Sequence, residues 1–390
     1  MRGYLSPQTG RAGGAHTVAT WCPVWPRECN SLGSERHCGS VGVAIVTRAK
    51  EFILEQSRFM LSRTMLRKSS YRFVVACLTS VPCLAILPAQ VQQEHEQAQP
   101  TLRVFLLAGQ SNMEGQAVVD LDHEEHYNGG RGTLQQVMAT AKDKEQYAHL
   151  KDEDGNWTER SDVVVWYRAG GKDLKAGELS IGYAVYGGRH HFGPEMQFGH
   201  VLGDYFDEPV LLVKTAWGGK SLAKDFRPPS AKGPTGPYYT RMITEYREAL
   251  RSIGEHFPKY AKHRPQLTGL VWFQGWNDMV DKAATASYAD NLAHLIRDVR
   301  SELQAPKLPV VVAETGNASS EVFRKAQADG AARPEFRGNV EFITTRSFMR
   351  KPENSPNTGH LHHWFGNAES YFLIGNKMGE SMCGLLRSNR

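Results

Sequence analysis

The chain has 390 residues, with 46 Lys and Arg against 41 Asp and Glu, a formal net charge of +5. The excess is local: residues 1–72 carry +7 and the remainder −2, so the basic balance gives no support for nucleic-acid binding by the folded part. Contents of 41% hydrophobic and 22% charged residues exclude a fibrous or wholly disordered chain, and the length suits one large domain or two smaller ones.

Residues 1–59 show no helix or strand period and are rich in Gly, Arg, Ser and Cys. Residues 1–64 therefore read as a non-native or disordered extension, with translation starting at Met60 or Met65. Residues 65–90 have the pattern of a signal peptide: Arg67, Lys68 and Arg72, then an apolar run from Phe73 to Leu87, then Leu87-Pro88-Ala89 for cleavage. That run is short of the roughly 20 residues a membrane span needs, and Pro82 interrupts it, so no stable membrane insertion is expected after cleavage. The mature protein is expected to be secreted or periplasmic. Five of the six cysteines precede the cleavage point and only Cys383 follows it, which leaves no internal disulfide. Residues 91–100 are a polar linker, and 101–390 form the domain.

The domain opens on an apolar run, 103–108, that breaks at Gly109 and presents Ser111 between Gln110 and Asn112. A buried strand that ends this way is how many hydrolases hold a nucleophile at a sheet edge; the blander alternative is a strand followed by a polar turn. Residues 120–190 are polar and rich in Asp, Glu, His, Gly and Tyr. They read as an inserted lobe near the active face, with 163–167 as a possible short extra strand. Pro194-Glu195 reads first as a plain helix start. A second apolar run, 209–215, leads to Trp217-Gly218-Gly219, whose glycines let backbone N–H groups approach a substrate oxygen closely. A helix is predicted over 238–256. The third run, 268–273, enters Gln274-Gly275-Trp276-Asn277-Asp278, and a helix follows over 284–303. The fourth run, 309–314, ends in Glu314, with a helix over 319–332. The fifth run is 340–345. Residues 359–369 hold His360, His362 and His363 before a final helix over 366–386. Continuous apolar runs alternating with helices predict a three-layer α/β/α sandwich with a mainly parallel, five-stranded sheet.

The string Gly109-Gln110-Ser111-Asn112-Met113 resembles the first block of SGNH-type hydrolases, in the branch of the sialate O-acetylesterase domain and related carbohydrate acetylesterases. The resemblance covers about 101–386 and implies an SGNH, flavodoxin-like fold and a serine esterase needing no cofactor. It assigns Ser111 as nucleophile, Gly219 as an oxyanion donor with Gly218 as runner-up, and Asn277, within the G-x-N-D block, as another. The branch more often has Q-G-E-S where this chain has Gln274-Gly275-Trp276-Asn277. The families place the base in D-x-x-H before an aromatic residue, which selects His363 before Trp364, with His362 as runner-up. Position 360 is then histidine where the families have aspartate. Glu314, at a strand end, is the candidate acid on chain order. A metal site at the three histidines is the minor alternative, because no carboxylate or cysteine cluster accompanies them.

The expected substrate is an acetylated oligo- or polysaccharide, cleaved through an acetyl-enzyme intermediate, with Trp166 and Tyr167 as sugar-stacking aromatics. The alternatives are an SGNH-type esterase or lipase acting on non-sugar acyl esters, and a catalytically weak carbohydrate-binding relative.

Overall fold

The computed structural model describes residues 99–315 and 320–388. The expected extension, the signal segment and the linker up to residue 98 lie outside the described residues. Nine strands follow in chain order: β1 (Thr101–Gly109), β2 (Ala117–Val118), β3 (Arg160–Ala169), β4 (Asp173–Leu179), β5 (His191–Phe192), β6 (Val210–Ala216), β7 (Arg264–Phe273), β8 (Val310–Ala313) and β9 (Val340–Ile343). Seven of them form one sheet in the order β4-β3-β6-β1-β7-β8-β9, parallel throughout except for β4, and β2 pairs with β5 in a separate antiparallel ribbon. The five predicted strands are all present, and the sheet is larger by β3 and β4.

These two strands correct the reading of 120–190 as a lobe. Residues 160–179 extend the main sheet, with Val163 to Tyr167 in parallel register with Val210 to Lys214. The sequence hides β4 because an edge strand keeps one side in solvent. Its residues alternate partly buried with exposed and lack the continuous apolar run of a central strand.

Both faces of the sheet are covered. Short helix α1 (Ser111–Glu114) leaves β1, and α2 (Leu134–Thr140) follows it in the remaining insertion. On one face, α3 (Glu195–Tyr205) and α8 (Ala368–Ser388) pack on Phe105, Leu107, Val165 and Leu212. On the other, α4 (Pro237–Arg251), α6 (Lys282–Glu302) and α7 (Glu321–Ala331) pack on Val104, Leu106, Val213 and Trp272. Alternate residues of each strand thus feed two separate cores. The predicted helices match these within a few residues at their ends.

Chain direction around the sheet decides where a site can form. From central β1 the chain builds β3, β4 and β6 on one side, then crosses to β7, β8 and β9 on the other. The order reverses about β1, and in open α/β sheets the crevice at such a switch point, beyond the strand C-termini, is where ligands bind. Glu195, read as structural, is wholly buried and pairs with Lys214 Nζ at 2.8 Å. The same ammonium donates to the carbonyls of Glu114 (3.0 Å) and Tyr183 (2.6 Å). A buried charge pair with its remaining donors satisfied here locks α1 against β6 and the insertion.

Candidate active site

Three strand ends meet in register. Gly109 stands opposite Ala216 on one side and Phe273 on the other, so the loops after β1, β6 and β7 emerge side by side. Gly109 must be glycine: a Cβ there would lie 2.1 Å from the Phe273 carbonyl oxygen. Beyond these ends stand Ser111, Gly218-Gly219 and Asn277, the last on the short helix α5 (Trp276–Met279), which precedes α6 in the chain.

Ser111 Oγ lies 3.0 Å from His363 Nε2, within hydrogen-bond reach of a hydroxyl and a ring nitrogen. The two are 252 positions apart and meet only through the fold. His363 is carried by a 3-10 stretch, Leu361–Gly366, in which Trp364 and Phe365 both take left-handed backbone angles (φ 54° and 56°). Such angles cost roughly 1–3 kcal/mol each for non-glycine residues and persist only where surroundings enforce them. The surroundings here are specific. The Trp364 ring is wholly buried. Asn112 Nδ2 donates to the His362 carbonyl (3.0 Å), and Tyr371 Oη donates to Asn112 Oδ1 (2.7 Å). Asn112, next to Ser111, thus ties the serine turn to the histidine loop, and Tyr371 on α8 fixes Asn112.

Burial pushes the His363 imidazole down to about 3, with the nearby His362 and His360 adding to the effect. The ring is therefore neutral at pH 7 and free to accept a proton, but it holds that proton weakly. Among the described residues no carboxylate contacts its ring. The three histidine rings stand close, with centroids 4.0 Å apart for His362–His363 and 6.0 Å for His360–His363. Among the described residues there is no group of three or more His, Cys, Asp or Glu side chains placed to hold a metal ion.

Asn277 is oriented by Gln110. Gln110 Nε2 donates to Asn277 Oδ1 (3.1 Å), which turns the Asn277 amide nitrogen away and leaves its N–H groups for a ligand. Gln110 Oε1 in turn accepts from Gly275 N (3.0 Å) and Gln274 Nε2 (3.2 Å). Asp278, buried, accepts from Leu222 N and Ala223 N, both at 2.8 Å, and from Gln274 Nε2 at 2.6 Å. The block after β7 therefore anchors the loop after β6 that carries the glycines. Gly219 has φ +69°, a left-handed angle that favours glycine, and a Cβ there would meet nothing within 4 Å. The Gly218 amide is hydrogen-bonded to Glu114. Of the two glycines, Gly219 therefore borders open space.

Glu114 is buried, and that burial raises its carboxyl to about 7, against the opposing pull of the Gly218 amide and Lys214. Unfolded, this group ionises near 4.5; folded, it holds its proton to about 7, so its contribution to stability declines as pH rises from 4.5 to 7. Glu114→Gln keeps an oxygen for the Gly218 amide and removes the titration. The variant is expected to gain on the wild type by up to about 3 kcal/mol between pH 4.5 and 8. Urea unfolding of both proteins at the two pH values checks this, and a constant difference would refute it.

Two expectations need correction. Glu314 does not reach the histidine. Its carboxylate accepts from Thr345 N (2.7 Å) and Arg346 N (3.1 Å) and pairs with Arg324 (2.7 Å). It staples the ends of β8 and β9 to α7. Trp166 and Tyr167 cannot stack on a sugar, because both rings are wholly buried on β3, one in each core. Residues that the motifs passed over do the positioning: Gln110, Asn112, Gln274, Asp278, Glu114 and Tyr371. The first five lie inside or beside the quoted blocks. Tyr371 reads from spacing as a core position, and nothing in the sequence signals that its hydroxyl holds Asn112.

A serine and a histidine in contact beyond the C-terminal edge of a parallel sheet form a candidate hydrolase-type site. The chain belongs to the family described as carbohydrate esterase, sialic acid-specific acetylesterase, whose model matches residues 101–383. It is a carbohydrate acetylesterase by that membership. A probable carbohydrate esterase of Arabidopsis thaliana is 25% identical over 248 residues, covering 62% of this chain and 81% of the relative. A solved structure of an Arabidopsis thaliana protein aligns at 18% identity with a TM-score of 0.46, covering 73% of this chain and 98% of that one. A carbohydrate acetylesterase structure from Xanthomonas citri aligns at 16% identity and TM-score 0.37, over 70% of this chain and 56% of the other.

Proposed function

We propose that the protein is an exported serine esterase that removes O-acetyl groups from carbohydrates. The observation that carries this reading is the 3.0 Å contact between Ser111 Oγ and His363 Nε2. His363 takes the proton from Ser111 as the oxygen attacks the acetyl carbonyl. The oxyanion that forms is held by the amides of Ser111 and Gly219 and by the side-chain nitrogen of Asn277. His363 then gives its proton to the departing sugar hydroxyl, leaving an acetyl-serine. Water, deprotonated by His363, attacks that ester, and acetate leaves as the Ser111 hydroxyl regains its proton. Export is supported by the pattern at 65–90. Among the described residues no helix is long and apolar enough to cross a membrane.

The absence of a carboxylate on His363 among the described residues favours a second reading, a relative that binds acetylated sugar and hydrolyses it slowly. One comparison separates the readings and narrows the substrate: acetate release from acetylated xylan, acetylated pectin and O-acetylsialic acid by wild type and Ser111→Ala. The esterase is expected to release acetate from at least one of them faster than the variant. Equal rates on all three would defeat the catalytic reading. A preference for long-chain aryl esters over aryl acetate would point to a non-sugar esterase.

A further inference from the structure

With the β3 aromatics buried, the crevice needs another surface on which to seat a sugar. Among the described residues only five large hydrophobic side chains are exposed, and Tyr186 is the one aromatic, at 43%. It lies in the insertion between β4 and β5 and reaches the site by two hydrogen bonds. Tyr186 Oη donates to Gln116 Oε1 (2.6 Å), and Gln116 Nε2 donates to the main-chain carbonyl of Ser111 (3.1 Å). Gln116 is itself buried.

The ring is held still. His191 packs against it at 4.4 Å between centroids. The loop behind it is knotted around Lys175, whose ammonium donates to the carbonyls of Gly182 (2.7 Å), Ala184 (2.8 Å) and Tyr186 (2.7 Å). An ammonium with three donors is saturated by three carbonyls, so this segment has a defined shape although it is a loop. An exposed aromatic ring that is fixed before a ligand arrives loses little freedom on binding, which makes it a good contact surface.

We propose that Tyr186 is the sugar platform of this site, its exposed ring surface packing on the C–H face of the pyranose that carries the scissile acetyl group. This rests on the carbohydrate reading above and makes Tyr186 a specificity-determining residue. Its role is to hold the saccharide, so an acetyl ester without a sugar has no use for it.

The test uses binding and turnover separately. In a Ser111→Ala background, calorimetry measures the affinity for acetylated xylo-oligosaccharides and for O-acetylsialic acid, with Tyr186 intact, as Tyr186→Phe and as Tyr186→Ala. In the Ser111 enzyme, the same Tyr186 changes are assayed on 4-nitrophenyl acetate. Loss of the ring is expected to weaken saccharide binding about tenfold. In saccharide binding the phenylalanine variant should stay within about twofold of the parent, and since both variants lose the bond to Gln116, 4-nitrophenyl acetate turnover should change by the same factor in both. A further fall of aryl acetate turnover in Tyr186→Ala beyond that of Tyr186→Phe would show that the ring only supports Gln116 and the serine turn. Equal weakening in the phenylalanine and alanine variants would assign the effect to the hydroxyl. Failure of both saccharides to bind would overturn the platform. Failure of the esterase reading shows separately, as aryl acetate turnover no faster than that of Ser111→Ala.

Discussion

Ser111→Ala is expected to lower kcat for acetyl-ester hydrolysis roughly 10²–10³-fold, His363→Ala to lower it by the same factor, and the double variant to be no slower than either. The two side chains touch at 3.0 Å and in the proposed mechanism act as one unit, so removing either would remove the proton transfer and the attack together. The size of the loss is set by what His363 lacks. In a complete serine–histidine–acid triad, losing serine or histidine costs roughly 10⁶-fold, and losing the acid alone costs roughly 10⁴-fold. A pair working without the acid retains only the difference, about two orders of magnitude. The residual activity expected of the variants is that of the proposed oxyanion donors Asn277 and Gly219 and of substrate binding, which neither change touches. Steady-state rates on 4-nitrophenyl acetate for the four proteins decide the matter. Multiplying losses in the double variant would show that the residues act independently, and a loss near 10⁶-fold would show that an acid does serve His363.

His360→Asp is expected to raise kcat roughly ten- to a hundredfold and to move the acid limb of kcat/KM to higher pH. In the protein as it stands, burial and two neighbouring histidines hold His363 at about 3, several units below the value at which an imidazole is an effective base near neutrality. Position 360 is exposed and its ring lies 6.0 Å from the His363 ring. A carboxylate there places a negative charge near the ring, favours the imidazolium and orients Nδ1–H. The neutral ring is the active base, so raising its pKa means activity falls off at a higher pH on the acid side, while proton transfer at neutral pH improves. His360→Asn removes the imidazole without adding a carboxylate, and is expected to shift the profile only slightly. If the asparagine variant matched the aspartate variant, the missing acid would not be what limits the rate.

Much of the site was legible because its parts sit where a strand must stop. Gly109, Trp217 and Gln274 each follow a continuous apolar run, and such runs mark strands buried on both faces. Their order along the chain marked Ser111, Gly219 and Asn277 as candidates, and the family resemblance added His363. Glu314 satisfied the same criterion and proved unrelated to the histidine. The end of a strand fixes where a side chain begins, and partners such as Thr345 N and Arg324 decide where it points. Trp166 and Tyr167 misled for the converse reason. A polar neighbourhood in sequence suggested exposure, while the pairing of β3 with β6 and β4 put one ring in each core.

By itself the sequence determined the five central strands, the helices between them, their alternation and the chemical identity of the residues at each strand end, while the edge strand β4 stayed hidden. These are local properties, written in apolar periodicity and in glycine and proline placement. Only the tertiary structure decided what those residues do together. It set the register that aligns Gly109, Ala216 and Phe273, the reversal of strand order about β1, and the Asn112–Tyr371 tether that brings a loop 252 positions away onto Ser111. The reason is physical: a hydrogen bond of about 3 Å depends on directions set by packing across the whole domain, and no pattern local to the chain encodes them.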